Sequence, residues 1–397
     1  MKVPLKYYAP SRAYEGYTLF APMGECGAWL IDMYGRIVHH WETDYPPARY
    51  AVLLSNGNLL YSAMILEGPL RDMDGIGGKL LELSWEGEVL WEYDDPYMHH
   101  DFCRMKNGNT MVLRYTAVPP EITAKIKGGI PGSEREDTMW ADCIHEVTPE
   151  GKVVWEWKTY EHLKLDDFPI CPLDSRADYN HCNAVSVLED GNILICLLKQ
   201  NTVAIIEKSS GDLKWQWGPG QLGHPHCPSG LDNGNILIFD NGTHRMDNPK
   251  AGFPLGMIGF SRVLEVDPRT DQIVWEYRDR CYLDFYAPFI SGCQRLPNGN
   301  TLICDGPRGR IFEVTNEKEI VWEYVSPFYN ESLIDVTGFT NPIFRAYRYG
   351  KDYPGLARKK LDPNRVELTL RDSPIWETKA RLDQQKLIEQ RLRRLGY

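Results

Sequence analysis

The residues of this chain best suited to chemistry are histidines that recur at corresponding points of a repeat. Five turn glycines, Gly57, Gly108, Gly191, Gly234 and Gly299, set the frame. Eight places before them stand Arg49, His100, Asn183, His226 and Ser291, and ten places before them Pro47, Met98, His181, His224 and Phe289. Residues an even number apart on a strand share a face, so His100, His181, His224 and His226 are expected on equivalent faces of three successive repeats. Burying several imidazoles around one point is costly unless they bind something or react. Two chemistries suit them. A neutral imidazole nitrogen is a nucleophile, and three or four imidazoles together hold a divalent transition metal such as zinc, copper, iron or cobalt with a position open for substrate. His99 is placed to orient its neighbours, and His39, His40, His145 and His162 read as structural. Cys182, Cys227 and Cys293 lie near the same positions, and Cys293, on the same face as the histidines, reads as a buried spectator.

These residues need a scaffold, and a second repeat supplies it. Tryptophans recur at Trp41, Trp91, Trp155, Trp215, Trp275 and Trp322, in segments such as LWEYD, VWEWK and VWEYR. Their spacing belongs to propeller blades or helical arrays, and period-2 alternation between them excludes the helical option. Each glycine sits in an Asn/Asp-Gly-Asn turn followed by an aliphatic pair, which joins two strands because glycine supplies the positive φ a tight turn needs. One unit is therefore four antiparallel strands, with the last ending in Trp. Five such units run from about residue 48 to residue 325. A sixth opens the chain with YTLFAP, AWLIDM and RIVHHW but lacks its innermost strand, and PIFRAYRY, residues 342–349, is expected to complete it and remove the exposed edges. The expected fold is all-β, a six-bladed β-propeller over residues 1–350, followed by a C-terminal extension, 351–397. In that extension Leu382, Ile388, Leu392 and Leu395 have helical spacing, so an amphipathic helix is expected between Asp372 and Tyr397, packed on the propeller or forming a homo-oligomer contact.

Composition narrows the partners. A formal charge of −11 over 397 residues argues against nucleic acid or an anionic membrane as the main partner, while 12% aromatic and 43% hydrophobic residues suffice for one large core. No transmembrane run appears, and MKVPLKYYAPSRAYEG lacks the apolar stretch of a secretory signal, so a cytoplasmic location is expected. The ten cysteines are scattered without a C-x-x-C pair and read as reduced thiols. The sequons at Asn241 and Asn330 then carry little meaning. Insertions at 116–140, 158–180 and 241–260, rich in Pro, Gly and charge, are candidates for a lid and for substrate selection.

Three stretches, HHDFCRMKNGN (99–109), NHCNAVSVLEDGNILI (180–195) and HPHCPSGLDNGNILIFDNG (224–242), resemble the arylsulfotransferase family, phosphoadenosine-independent enzymes that move a sulfuryl group between phenols, and PIFRAYRY fits too. The resemblance covers most of the first 350 residues. It implies a six-bladed propeller, a ping-pong reaction in a central funnel, and a small aromatic substrate with no cofactor. It also implies that His226 is the nucleophile, transiently sulfurylated, and that His100, His181 and Asn183 hold the sulfuryl and phenolic oxygens. Where the family has an arginine just after the second Gly-Asn strand, this chain reads ICLLKQNTV, with Leu198 at the nearest position and Lys199 beside it. Arg49 and Arg345 are candidates to replace that arginine, although a guanidinium and an ammonium do not grip two oxygens alike.

His224, an added imidazole two places before His226, keeps two other classes open. One is a metal-dependent hydrolase or oxidoreductase built on His100, His181, His224 and His226, acting on an aromatic or other small polar substrate. The other is a non-catalytic binding propeller.

Overall fold

The computed structural model describes residues 4–70, 73–136, 138–245, 259–330 and 337–363. The described part is nearly all β, a six-bladed β-propeller whose blades divide between two compact units. One unit runs to Pro96 and resumes at Ile290, and the other is Tyr97–Phe289. The expected C-terminal helix lies outside the described residues.

The first unit begins with β1 (Leu5–Tyr8), then β2 (Gly16–Pro22), β3 (Gly27–Ile31) and β4 (Ile37–Glu42), then the four-stranded antiparallel sheet β5 (Pro47–Leu53), β6 (Leu59–Met64), β7 (Gly78–Leu83) and β8 (Val89–Asp94). Leu19, Leu30, Trp41, Leu53, Tyr61 and Leu81 form a core between these two sheets. Trp41 Nε1 donates to Ser84 O across it at 3.1 Å.

The second unit holds three blades. The first has β9 (Met98–Arg104) and β10 (Thr110–Ala117); an insertion strand β11 (Gly128–Ile130) precedes β12 (Trp140–Val147) and β13 (Val153–Lys158). A second insertion strand, β14 (Ile170–Ser175), runs parallel to β11, so the insertions at 116–140 and 158–180 form a small sheet of their own. The next blades are β15 (Cys182–Val187), β16 (Ile193–Leu197), β17 (Thr202–Ile206) and β18 (Leu213–Trp217), then β19 (His226–Gly230), β20 (Ile236–Asp240), β21 (Arg262–Asp267) and β22 (Gln272–Tyr277). Strands β16, β17 and β20 are buried along their whole length, because neighbouring sheets cover both faces; this is why they read as continuous apolar runs rather than alternating ones. Trp157 Nε1 donates to Gly211 O at 2.8 Å and Trp215 Nε1 to Asp271 Oδ1 at 2.8 Å, each bond joining one blade to the next. Trp157, two places beyond the Trp155 of the repeat, makes the first of these bonds.

The chain then returns to the first unit with β23 (Gly292–Arg295), β24 (Thr301–Asp305), β25 (Arg310–Val314) and β26 (Ile320–Val325), and ends the sheet series with β27 (Ile343–Gly350). β27 pairs with β2 from Gly16↔Gly350 to Pro22↔Ile343, the pairing expected of PIFRAYRY. β1 adds to the outer edge of β26 as a fifth strand, which the sequence repeat does not foretell because that pairing has no counterpart in the other blades. A buried latch holds this closure. Arg348 Nε donates to Thr18 Oγ1 at 2.6 Å and Nη1 to Tyr14 O at 2.7 Å, with Glu313 Oε2 3.3 Å away. Burial draws the Arg348 pKa down to about 10 although Glu313 opposes the shift.

The Gly-Asn turns are one device used five times. Each glycine has φ between 83° and 90°. The residue before it, Asn56, Asn107, Asp190, Asn233 or Asn298, accepts from the backbone N–H two places on with its side-chain oxygen. In four blades the asparagine after the glycine also donates to a glutamate on the third strand, as Asn58 to Glu82, Asn109 to Glu146, Asn235 to Glu265 and Asn300 to Glu313. That pairing explains the Asn of the motif and the Glu of KLLEL and RVLEV together.

Candidate functional site

The second unit holds five of the sequence-predicted site residues, His100, His181, Asn183, His226 and Lys199. His100, His181, Asn183 and His226 sit where β9, β15 and β19 begin, and there the strands are irregular, whereas Lys199 follows the end of β16. Pairing registers shift between Val112 and Arg114, Cys182 and Ala184, and His226 and Ser229. His100, His181, His224 and Cys227 have positive φ of 46°, 53°, 52° and 51°. Such φ values are uncommon outside glycine, and held strain of this kind collects at functional sites. Simple alternation therefore fails locally, and the two histidine columns do not share one regular strand face.

His226 is nearly fully buried. Its Nδ1 lies 2.8 Å from Asn241 Oδ1 and 3.2 Å from His224 O. Asn241 is oriented by its own amide, whose Nδ2 donates to Ala287 O at 2.7 Å, so its oxygen faces the ring. Both neighbours of Nδ1 are acceptors, so Nδ1 carries the proton and, in the neutral ring, the lone pair is on Nε2. Asn183 Nδ2 donates to Pro225 O at 2.8 Å and fixes the backbone just ahead of His226.

His100 and His181 meet edge to face, with ring centroids 4.5 Å apart. His181 is braced by an acid and His100 by a second imidazole. His181 Nδ1 lies 3.0 Å from Asp178 Oδ2. His100 Nδ1 lies 2.9 Å from His99 Nδ1, and His99 Nε2 is 3.2 Å from Asp142 Oδ1. His99 also stacks on Tyr115 at 3.9 Å, so it orients His100 as the sequence reading expected. Asp142 and Asp101 reach across to β15, accepting from the backbone N–H of Cys182 and Val185 at 2.9 Å each, and so hold the His100 blade against the His181 blade.

Lys199 is buried and donates to three acceptors: Ser175 O at 2.7 Å, Asp178 O at 2.8 Å and Asp178 Oδ1 at 2.6 Å. An ammonium has three donors, so Lys199 acts on the site through Asp178. Burial pushes the Asp178 carboxyl up, but Lys199 and His181 outweigh it and hold the pKa well below the usual carboxylate range.

His224 is turned elsewhere. Its Nε2 lies 3.1 Å from Asp174 Oδ2, and its ring meets His244 edge to face at 4.5 Å. Among the described residues, two groups of His, Cys, Asp or Glu have ligand atoms close enough to share a metal: Cys171, Asp174, His224 and His244, and Cys143, His145 and Glu156. The set His100, His181, His224 and His226 is not one of them: His224 Nε2 faces Asp174, whereas His226 Nδ1 faces Asn241. Arg49 and Arg345 belong to the other unit, where both are buried over aromatic faces, Arg345 at 4.9 Å from the Tyr50 centroid and both guanidiniums over Phe344 at 5.4 and 5.0 Å. All ten cysteines are free thiols, and burial pushes the Cys182 thiol well above its ordinary pKa.

Sequence reasoning missed Asn241, Asp178, Asp142 and Asp174. Asn241 stood in plain view as a sequon, yet it is fully buried against His226. Asp178 is three residues before His181, in DYNH, a spacing that offered a signal.

Among solved structures the chain is similar to a protein of unknown function from Bacteroides caccae, at 15% identity and a TM-score of 0.52 over 84% of this chain and 98% of that one, a likeness of fold alone. A lower score, 0.43 at 12% identity, relates it to virginiamycin B lyase from Staphylococcus aureus, over 81% of this chain and 88% of that one. No curated protein sequence matches it. The family model for arylsulfotransferase matches residues 51–327, the span from within β5 to just beyond β26, and by that match the chain belongs to the arylsulfotransferase family.

Proposed function

We propose that this protein transfers a sulfuryl group from an aryl sulfate to a phenolic acceptor through a sulfohistidine at His226. The observation that carries the reading is the pair of acceptors on His226 Nδ1, Asn241 Oδ1 and His224 O, which assign the lone pair to Nε2. In the first half-reaction that lone pair forms a bond to sulfur while the sulfur–oxygen bond to the aryl group breaks, its electron pair leaving on the phenolic oxygen. His181, as an imidazolium paired with Asp178, gives its Nε2 proton to that oxygen and is left neutral, and His100 donates to the sulfuryl oxygens as charge shifts. In the second half-reaction His181 takes the proton of an incoming phenol, the phenolic oxygen attacks sulfur, and the Nε2–S bond breaks. Nothing else is consumed, so no cofactor enters the balance.

The test is pre-steady-state kinetics with 4-nitrophenyl sulfate. Wild type should release one phenolate per active site in a burst when no acceptor is present, and steady-state rates with varied phenol should give parallel double-reciprocal lines. His226→Asn should show neither. Intersecting lines, or a burst retained by His226→Asn, would overturn the reading.

A further inference from the structure

Outside the sulfuryl-transfer site, Cys171, Asp174, His224 and His244 bring a thiol, a carboxylate and two imidazoles to one point, with their ligand atoms all within 4.8 Å of one another. Cys171 and Asp174 come from β14, His224 from the turn entering β19, and His244 from the segment after β20. Cys171 Sγ is 3.5 Å from His244 Nδ1, and Asp174 lies 3.1 Å from His224 Nε2 and 3.4 Å from His244 Nδ1. A tetrahedral zinc ion with ordinary bond lengths separates its nitrogen and oxygen ligands by about 3.4 Å and sulfur from nitrogen by about 3.6 Å. Those three pairs already stand near such separations, and every other pair lies within 4.8 Å.

Cys171 and His244 share a hydrogen bond, but hydrogen bonding does not account for the approach of His224 to Asp174. His224 Nε2 and Asp174 Oδ2 are both buried and face each other, yet neither has a hydrogen-bond partner. His224 itself is 7% exposed, with its backbone N–H fixed by Asn201 Oδ1 at 2.7 Å. The second cluster is the contrast. There the two groups that face each other are hydrogen-bonded, His145 Nε2 to Glu156 at 2.8 Å, and Lys158 lies 2.9 Å from the same carboxylate.

We infer that Cys171, Asp174, His224 and His244 bind a divalent transition metal, zinc by the chemistry of the donor set, as a structural clamp separate from the sulfuryl-transfer residues. Thiolate with imidazole favours zinc over magnesium or calcium, and four protein ligands leave no position open for substrate. The clamp ties the insertion strand β14 to both chain segments that touch His226 Nδ1, since the two acceptors there belong to His224 and to Asn241, three residues before His244. Half-exposed Cys171 and His244 give the ion a route in.

The test is metal content of the intact chain after growth with added zinc and gel filtration, together with the absorption of the cobalt-loaded protein. The wild type should hold one zinc per chain, and its cobalt form should show a thiolate charge-transfer band. Cys171→Ser and His244→Asn should each lower zinc at least tenfold and the first should lose the band. Cys281→Ser, at an exposed thiol, and His226→Asn, which removes the proposed nucleophile, should both keep the zinc, so failure of the transfer reading leaves this result intact. Background zinc and no thiolate band in the wild type would overturn the inference, as would full zinc in the Cys171→Ser, His244→Asn double variant. Should either variant fail to fold, the wild-type cobalt band alone decides whether sulfur is a ligand.

Discussion

Replacing Asn241 separates the tautomer argument from a general role in packing. Asn241→Leu keeps the volume but removes the oxygen 2.8 Å from His226 Nδ1 and the amide that donates to Ala287 O. Both stranded groups retain a weaker neighbour, His224 O at 3.2 Å for the ring and Ser261 Oγ at 3.4 Å for the carbonyl. With a buried neutral hydrogen bond worth about 1 kcal/mol net and the stranding only partial, the stability loss should be about 2–3 kcal/mol. Loss of the better acceptor weakens the hold on the reactive tautomer by about 1–2 kcal/mol, and each 1.36 kcal/mol is about tenfold in rate, so burst rates should fall by about 5- to 30-fold. Asn241→Asp keeps an acceptor at Nδ1 but adds a negative charge, which favours the imidazolium and raises the pKa of His226. A nucleophile must be neutral, so the acid limb of the pH–rate profile should move to higher pH in Asn241→Asp. In Asn241→Leu it should not. Burst rates and their pH dependence, measured beside urea unfolding, read all three quantities. Wild-type burst rates and an unmoved acid limb in both variants would refute the reasoning.

Lys199→Met should leave the buried Asp178 carboxylate without its ammonium and cost about 3–5 kcal/mol in chemical denaturation. The lowered Asp178 pKa stabilises the fold above the ordinary carboxylate pKa and is lost as pH falls through the folded value, so the variant should also unfold at a higher pH than wild type on acid titration followed by circular dichroism. Arg348→Met should strand Glu313 between β25, β27 and β2 and cost about 3–5 kcal/mol, read as a fall in the urea midpoint.

The blades were legible because their signals are local. A turn glycine, its flanking Asn or Asp and the Trp at the end of each outer strand lie within one unit, and each has a single physical job repeated blade after blade. The histidines were legible for the same reason, since the turn glycine numbers every first strand from a common origin. What supports them was not. Asn241 reaches His226 from 15 residues away and Asp142 reaches His99 from the far side of an insertion, distances over which no periodicity runs. Lys199 looked like an oxygen ligand because its charge is visible in sequence and its three acceptors are not. His224 looked like a fourth member of the His226 group because alternation assumes regular strand backbone, which positive φ at that residue removes.

The central claim, a covalent intermediate on His226, is tested most directly by peptide mapping under neutral conditions after brief incubation with an aryl sulfate. The account predicts that the peptide containing His226 gains the mass of one sulfuryl group in wild type, that the added mass disappears when a phenol is supplied and reappears in that phenol, and that His226→Asn acquires no such mass. Sulfuryl transfer that proceeds at the wild-type rate with an unmodified His226 peptide, or with the added mass on another residue, would contradict it.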